Sequence, residues 1–117
     1  METMHERIHE VARLTQRLQK EFPGETKAFL ELLNKAERGA ALSLKDKELI
    51  NTALAVAAQC EWCIVFYVQN VVKAGANPRE IVEVGFQSVV MHGGPAFMWI
   101  THLLNAIDEF VPTNESV

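Results

Sequence analysis

Cys60 and Cys63 are the two cysteines of this chain, and only Glu61 and Trp62 separate them. On a helix, side chains three positions apart share a face, with Cβ atoms roughly 5–6 Å apart, so modest backbone relaxation allows a disulfide to form. In such a pair one thiol is usually acidified and attacks, and the other resolves the mixed disulfide. The spacing therefore predicts a reversible redox pair.

The composition indicates a single globular domain that binds neither nucleic acid nor membrane. The chain has 117 residues, of which 49% are hydrophobic, and a formal net charge of −4. Because no basic patch stands out, nucleic acid is not an expected partner. No uninterrupted apolar stretch reaches the ~18 residues of a membrane span, since Gln59 and Glu61 interrupt the longest candidate. We expect a cytoplasmic protein, and in that compartment a Cys-X-X-Cys motif is more often redox-active or metal-binding than structural.

Glycine, proline and capping residues divide the chain into six segments, each with helical periodicity. In the first segment Ile8, Val11, Leu14 and Leu18 recur at spacings of three and four. No segment has the alternation that is typical of a strand. We therefore predict an all-α fold with helices over Thr3–Lys20, Glu25–Arg38, Leu44–Ala58, Cys60–Ala74, Pro78–Met91 and Pro95–Phe110.

The third and fourth segments are apolar on nearly every side. A helix with that character is buried on every side, and a chain of 117 residues offers few such positions. We expect contacts between subunits to bury the remaining apolar surface of these helices, so the sequence predicts a homo-oligomer. A tightly packed monomeric six-helix bundle is the alternative.

Four segments together resemble the carboxymuconolactone decarboxylase family, in its AhpD-like (alkylhydroperoxidase-like) branch. They are Lys47–Ile50 ahead of an alanine-rich helix, Cys60–Cys63, Ala74–Ile81 and Gly93–Ala96. The resemblance covers about Phe29 to Phe110, so residues 1–24 are expected to be a helical extension within one domain that spans residues 1–117. It implies an all-α subunit with a central helical hairpin, assembled as a trimer or hexamer.

The resemblance also implies the site residues. The family pattern is a Glu twelve residues before the first cysteine, the two cysteines, and a His four residues after the second. Glu48, Cys60 and Cys63 match this pattern, but Tyr67 occupies the position of the His. The resemblance implies that Cys63 reacts with peroxide and that Cys60 resolves. A phenol with a pKa of about 10 is a poor general base at neutral pH, so we expect attenuated activity.

Glu48 can belong to this site only if the chain reverses between the third and fourth segments. On one straight helix, Glu48 and Tyr67 would be about 28 Å apart. A reversal near Ala57 and Ala58 brings the two side chains level. We therefore predict a helical hairpin, although no Gly or Pro occurs between Ala57 and Cys60.

The predicted function is a thiol-disulfide oxidoreductase or peroxidase of the AhpD-like type. It would need no cofactor beyond its redox-active disulfide, and an external dithiol would restore the thiols. One alternative is a non-catalytic oligomeric protein for binding or redox sensing. The presence of Tyr67 at the position of the family's His favours this alternative. Another is a small-molecule decarboxylase or lyase, although the family's decarboxylases generally lack the cysteine pair. Both cysteines with His92 and His102 would be a zinc donor set, but these histidines are far apart in sequence and no metal is predicted.

Overall fold

The computed structural model describes residues 3–111, and within them the chain forms six α-helices and no strand. The all-α prediction is confirmed. The helices are α1 (Met4–Glu21), α2 (Pro23–Glu37), α3 (Leu44–Ala57), α4 (Glu61–Lys73), α5 (Pro78–His92) and α6 (Gly94–Phe110).

The boundary between α1 and α2 differs from the prediction. We expected Pro23 and Gly24 to separate the two helices and Glu25 to begin the second. Pro23 is instead the first residue of α2, and only Phe22 lies between the helices. Proline suits this position because the first turn of a helix has no intrahelical acceptor for its N–H group.

The central helix of the fold is α4, which packs against α3, α6 and α1. Its residues Ile64, Val65 and Val68 are fully buried. The fifth helix packs against α3 and α6. At the α5–α6 contact, a Cβ atom added to Gly85 would lie 2.8 Å from Cδ2 of Leu103. The two helices approach this closely because residue 85 has no side chain.

The predicted reversal between α3 and α4 is present. The third helix ends at Ala57 and the fourth begins at Glu61. Gln59, in the connecting turn, has a φ of 53°, in the left-handed region that glycine most often occupies at a helix end. A glutamine therefore takes the place of the glycine that would have marked this turn in the sequence.

Main-chain hydrogen bonds complete this turn. The N–H of Gln59 donates to the carbonyl of Val56 at 3.0 Å, and that of Cys60 donates to the carbonyl of Ala55 at 3.2 Å. These two bonds satisfy carbonyl groups that the helix end would otherwise leave without donors. The same pair of bonds ends α4, where Gly75 has the left-handed conformation. The turn thus delivers Cys60 directly to the start of α4.

The helix that is least embedded in the fold is α2. It contains no buried residue, and its apolar side chains Phe29 and Leu32 are more than half exposed. Lys47 of α3 holds its C-terminal end, because Nζ donates to the main-chain carbonyls of Ala36 and Glu37 at 3.2 Å each. An ammonium group is favourable there because the last carbonyls of a helix lack intrahelical donors.

Apolar side chains are exposed on several helices. Within residues 3–111, no helix is both long enough and apolar enough to cross a membrane. The rings of Phe86 on α5 and Phe97 on α6 lie 6.4 Å apart. Val90 follows Phe86 by four residues on α5 and is 74% exposed. Exposed apolar surface of this kind is typical of a subunit contact. Association into a trimer or hexamer stays a prediction.

Candidate active site

The two cysteines lie at the N-terminal end of α4, with their sulfur atoms at disulfide distance and their Cα atoms 5.1 Å apart. Cys60 is the N-cap residue of α4, and its sulfur accepts a hydrogen bond from the N–H of Cys63 at 3.1 Å. Free N–H groups and the helix dipole stabilise negative charge at this position. After reduction, these groups can stabilise a thiolate at Cys60.

Side chains of α1 hold the two residues between the cysteines. Nε of Arg7 lies 3.1 Å from Oε1 of Glu61, and the guanidinium carbon lies 5.2 Å from the centre of the Trp62 ring. Nε1 of Trp62 is 3.4 Å from Oε2 of Glu10. The first helix thus restrains the backbone segment on which the cysteines sit.

Glu48 and Tyr67 line one groove, which we call the α2–α4 groove because α2, α3 and α4 form its walls. The groove has a volume of about 590 Å³. Its polar lining includes Glu37, Glu48, Tyr67, Asn70 and Lys73, and its apolar lining includes Leu30, Leu33, Leu44 and Phe66. The prediction that Glu48 and Tyr67 meet across the hairpin is therefore confirmed.

The cysteine pair is beside this groove and does not line it. Tyr67 follows Cys63 by four residues, so the two side chains share a face of α4 and lie about 6 Å apart along the helix axis. The structure thus brings Glu48 and Tyr67 together. It places Cys63 about one helical turn before Tyr67, and Cys60 about two turns before it, at the start of the same helix.

A second carboxyl group accompanies Glu48, which is only 4% exposed. The carboxyl of Glu37 lines the same groove. Nδ2 of Asn51 lies 3.0 Å from Oε1 of each of these glutamates. Burial is the largest cause that raises the pKa of Glu48 to about 7, and the neighbouring Glu37 carboxyl acts in the same direction. Glu48 therefore holds its proton to a higher pH than an ordinary glutamate does.

Tyr67 also titrates away from its ordinary range. Burial raises its pKa, and the nearby charges of Glu48 and Glu37 raise it further. The phenol therefore keeps its proton at neutral pH, so it can donate a hydrogen bond but is a poor proton acceptor. This is the physical consequence of a tyrosine where the family pattern has a histidine.

The two histidines considered from the sequence lie on α5 and α6. Nδ1 of His102 is 3.9 Å from Oε1 of Glu61, and its ring centre is 4.5 Å from that of Trp99. His92 is the last residue of α5 and is exposed. In the part of the chain from residue 3 to residue 111, no group of three or more His, Cys, Asp or Glu side chains is arranged to hold a metal ion. The zinc alternative has no support there.

Sequence reasoning missed Glu37, Asn51 and Arg7. Asn51 follows Glu48 by three residues on α3, so helical spacing could have indicated it. Glu37 and Arg7 lie on other helices, and no local pattern connects them with the residues that they contact. Only the packing of α1 and α2 reveals them.

The fold and the site together define a class: a six-helix protein in which a redox-capable cysteine pair begins the central helix. Residues 23–106 match the sequence model of the carboxymuconolactone decarboxylase family. The chain belongs to that family, as the resemblance predicted.

Solved structures share this fold. A family member from Legionella pneumophila, known from its apo crystal structure, is 36% identical, with a TM-score of 0.89 over 93% of this chain and 97% of that chain. A family member from Thermotoga maritima is 24% identical, with a TM-score of 0.78 over 87% of each chain. The second likeness supports the fold alone.

Two relatives are similar in sequence. Uncharacterized protein 4 in the cox locus of Paracoccus denitrificans is 33% identical over 82 residues, which are 70% of this chain and 74% of the relative. An uncharacterized protein of Cupriavidus necator is 29% identical over 102 residues, which are 87% of this chain and 90% of the relative.

Proposed function

We propose that this protein is a thiol-disulfide oxidoreductase of the alkylhydroperoxidase-like type, which reduces peroxides with Cys60 and Cys63. The observation that carries the proposal is the cysteine pair at the start of α4, where the Cys60 sulfur accepts the N–H of Cys63. Membership of the family supports it. A part in the antioxidative response has been suggested for the Thermotoga maritima relative.

The reaction begins from the reduced pair. One thiolate attacks an oxygen of the peroxide, so that an S–O bond forms, the O–O bond breaks, and the departing oxygen takes a proton to become an alcohol or water. The other thiol then attacks the sulfenic sulfur, forming the disulfide and releasing water. An external dithiol reduces the disulfide and is itself oxidised.

The order of the two cysteines has two competing assignments. The helix N-terminus favours Cys60 as the thiolate, because its sulfur receives the N–H of Cys63. The family resemblance implies the opposite order, with Cys63 reacting first. The alkylation rates of the two single-cysteine variants separate these assignments.

The proposal also specifies the reaction partners, the cellular location and the oligomeric state. The partners are a peroxide and a dithiol reductant, and no cofactor is required. Reductants of this kind are abundant in the cytoplasm, where we place the protein. The exposed Phe86, Val90 and Phe97 support a homo-oligomer, for which the family resemblance implies a trimer or hexamer.

The direct test is peroxide consumption with a chemical dithiol as the electron source. Wild type should form the Cys60–Cys63 disulfide with one equivalent of peroxide and should then turn over slowly. Cys60→Ser and Cys63→Ser should both lose turnover, because each lacks one partner of the disulfide. Turnover that persists in both single variants would overturn the proposal.

A redox sensor is the second candidate, and Tyr67 is the observation that favours it. A sensor needs the disulfide to form and to be reduced again, but it does not need fast turnover. The raised pKa of Tyr67 leaves the pair without a basic group at the family's relay position. Stoichiometric disulfide formation without turnover, even with excess dithiol, would favour the sensor over the peroxidase.

A further inference from the structure

The α2–α4 groove contains two carboxyl groups that share one hydrogen-bond donor. Glu37 is the last residue of α2, and Glu48 lies in the second turn of α3. Both carboxyl groups line the same groove, and one side-chain amide contacts both of them. Two carboxylates held this close disfavour each other's charged form. The geometry therefore indicates a pair in which one group tends to hold a proton.

Asn51 fixes the two groups side by side. Its Nδ2 atom carries two hydrogens and lies 3.0 Å from Oε1 of Glu37 and 3.0 Å from Oε1 of Glu48. One amide thus donates to both carboxyl groups. Oε2 of Glu37 is buried and has no hydrogen-bond partner within residues 3–111. A buried carboxylate oxygen without a donor disfavours the charged form of the pair.

No cation neutralises the pair in the described part of the chain. Lys47, the residue before Glu48 on α3, donates to main-chain carbonyls at the end of α2. Lys73 of α4 lines the groove but has no ion pair with either carboxyl group within residues 3–111. Tyr67, the remaining titratable group that faces the pair, is neutral at neutral pH. Two carboxylates in this setting would repel each other without compensation.

We propose that Glu37 is a positioning residue that keeps Glu48 protonated at neutral pH, so that Glu48 is the proton donor of the groove. The inference rests on the proposed peroxide reduction, which it deepens. When a thiolate attacks the peroxide, the departing oxygen leaves as an anion, and Glu48 supplies the proton that converts it to the alcohol or water. The Glu48 carboxylate then carries the charge that the thiolate gave up.

The proton returns when the pair is reduced. The external dithiol brings two protons to the two protein sulfurs, and one of these passes to Glu48 and leaves the attacking sulfur as the thiolate again. Glu37 promotes this return, because a second carboxylate beside Glu48 is unfavourable. In the family pattern a histidine could take the proton, and here Tyr67 cannot. The carboxyl pair therefore supplies the proton store that the tyrosine lacks.

The inference can be tested by following the carboxyl carbons by NMR as a function of pH. The Glu48 resonance, identified by its loss in Glu48→Gln, should titrate near neutral pH in wild type. Glu37→Gln should move the midpoint to lower pH by about one unit, a tenfold change in proton affinity, because it removes a charge and offers an amide donor. Glu37→Asp, which keeps the carboxyl group, should restore part of the shift. The control is Glu31→Gln, on an exposed part of α2, which should leave the midpoint unchanged.

The same variants separate this inference from the proposed function. The rate of thiol oxidation by peroxide should decline above neutral pH in wild type, and the decline should begin at lower pH in Glu37→Gln. An equal Glu48 midpoint in wild type and in a folded Glu37→Gln would overturn the inference, whether or not peroxide is reduced. If the Glu48 midpoint depends on Glu37 but the thiols do not react with peroxide, the carboxyl pair is supported and the proposed peroxidase function is contradicted.

Discussion

The sulfur of Cys60 lies 3.1 Å from the main-chain nitrogen of Cys63 and accepts its hydrogen bond at the first turn of α4. The same N–H can stabilise a thiolate at Cys60 after reduction. We therefore expect iodoacetamide at pH 6 to alkylate Cys63→Ser, which retains Cys60, about tenfold faster than Cys60→Ser. Mass spectrometry of reduced variants measures both rates. Faster alkylation of Cys60→Ser would support Cys63 as the attacking thiol, as the family resemblance implies.

Tyr67→His should speed oxidation of the thiols at pH 7. An imidazole titrates near neutral pH and can take and return a proton beside Glu48, whereas the phenol keeps its proton. We expect a gain of about tenfold, which corresponds to roughly 1.4 kcal/mol of the barrier. Stopped-flow oxidation of wild type, Tyr67→His and Cys63→Ser provides the comparison, and a thermal melt reports any packing loss. If a stably folded Tyr67→His reacts no faster, the absent histidine does not limit the site.

Glu48 should make the folded state less stable as pH rises. Its pKa is about 7 in the folded chain and about 4.5 in the unfolded chain, so the folded state binds more protons between these values. The stabilisation is fully present below pH 4.5 and is lost by pH 7–8, with an upper limit on the order of 3 kcal/mol. Glu48→Gln should lack this loss.

Urea unfolding at pH 5 and pH 8 measures the effect. The difference in unfolding free energy between the two pH values should be smaller in Glu48→Gln than in wild type. The control Glu31→Gln should behave like wild type. Equal pH dependence in wild type and Glu48→Gln would show that burial of this carboxyl group does not favour its protonated form.

Gln59→Gly should stabilise the turn between α3 and α4. Residue 59 has a φ of 53°, which costs a residue with a Cβ atom free energy that glycine avoids. We expect a gain of about 0.5–1 kcal/mol, partly offset by the greater freedom of glycine in the unfolded chain. The matched control is Ala58→Gly, at an ordinary helical φ of −76°, which should destabilise the protein. A loss of stability in both variants would contradict this account of the turn.

The protein should be a homo-oligomer at micromolar concentration. Light scattering should give a trimer or hexamer mass, and Val90→Glu should lower it, because it places a charge beside the exposed rings of Phe86 and Phe97. Gln19→Glu adds the same charge to an exposed position on α1 and should leave the mass unchanged. A wild-type mass near the 13.1 kDa of one chain would contradict this prediction.

The helices could be predicted from the sequence because their ends carry recognisable chemistry. Asn77, Pro78 and Glu80 begin α5 with a capping box, in which the Asn77 and Glu80 side chains accept each other's main-chain N–H. The turn at Gln59 was different, since its left-handed residue is not a glycine. The turn could be predicted only from the expectation that Glu48 and Tyr67 belong to one site, which requires the chain to reverse between them.

The carboxyl pair could not be predicted, for a physical reason. Glu37 and Glu48 are joined by a non-helical connection, and their contact depends on how that segment folds back. Lys47 directs the fold by binding carbonyls at the end of α2, but a lysine in the first turns of a helix has many other possible roles. Contacts of this kind are a property of the packed chain and have no local pattern.

The shallow seating of α2 has a consequence for the lifetime of the carboxyl pair. Because α2 contributes no buried residue, it can open by local unfolding while the core of α3 to α6 stays intact. Its amide hydrogens should therefore exchange with solvent faster than those of α4. Each opening separates Glu37 from Glu48 and makes Glu48 a stronger acid until α2 closes again. The acid strength of a buried side chain then follows the opening and closing of a neighbouring helix, on a timescale far shorter than that of global unfolding.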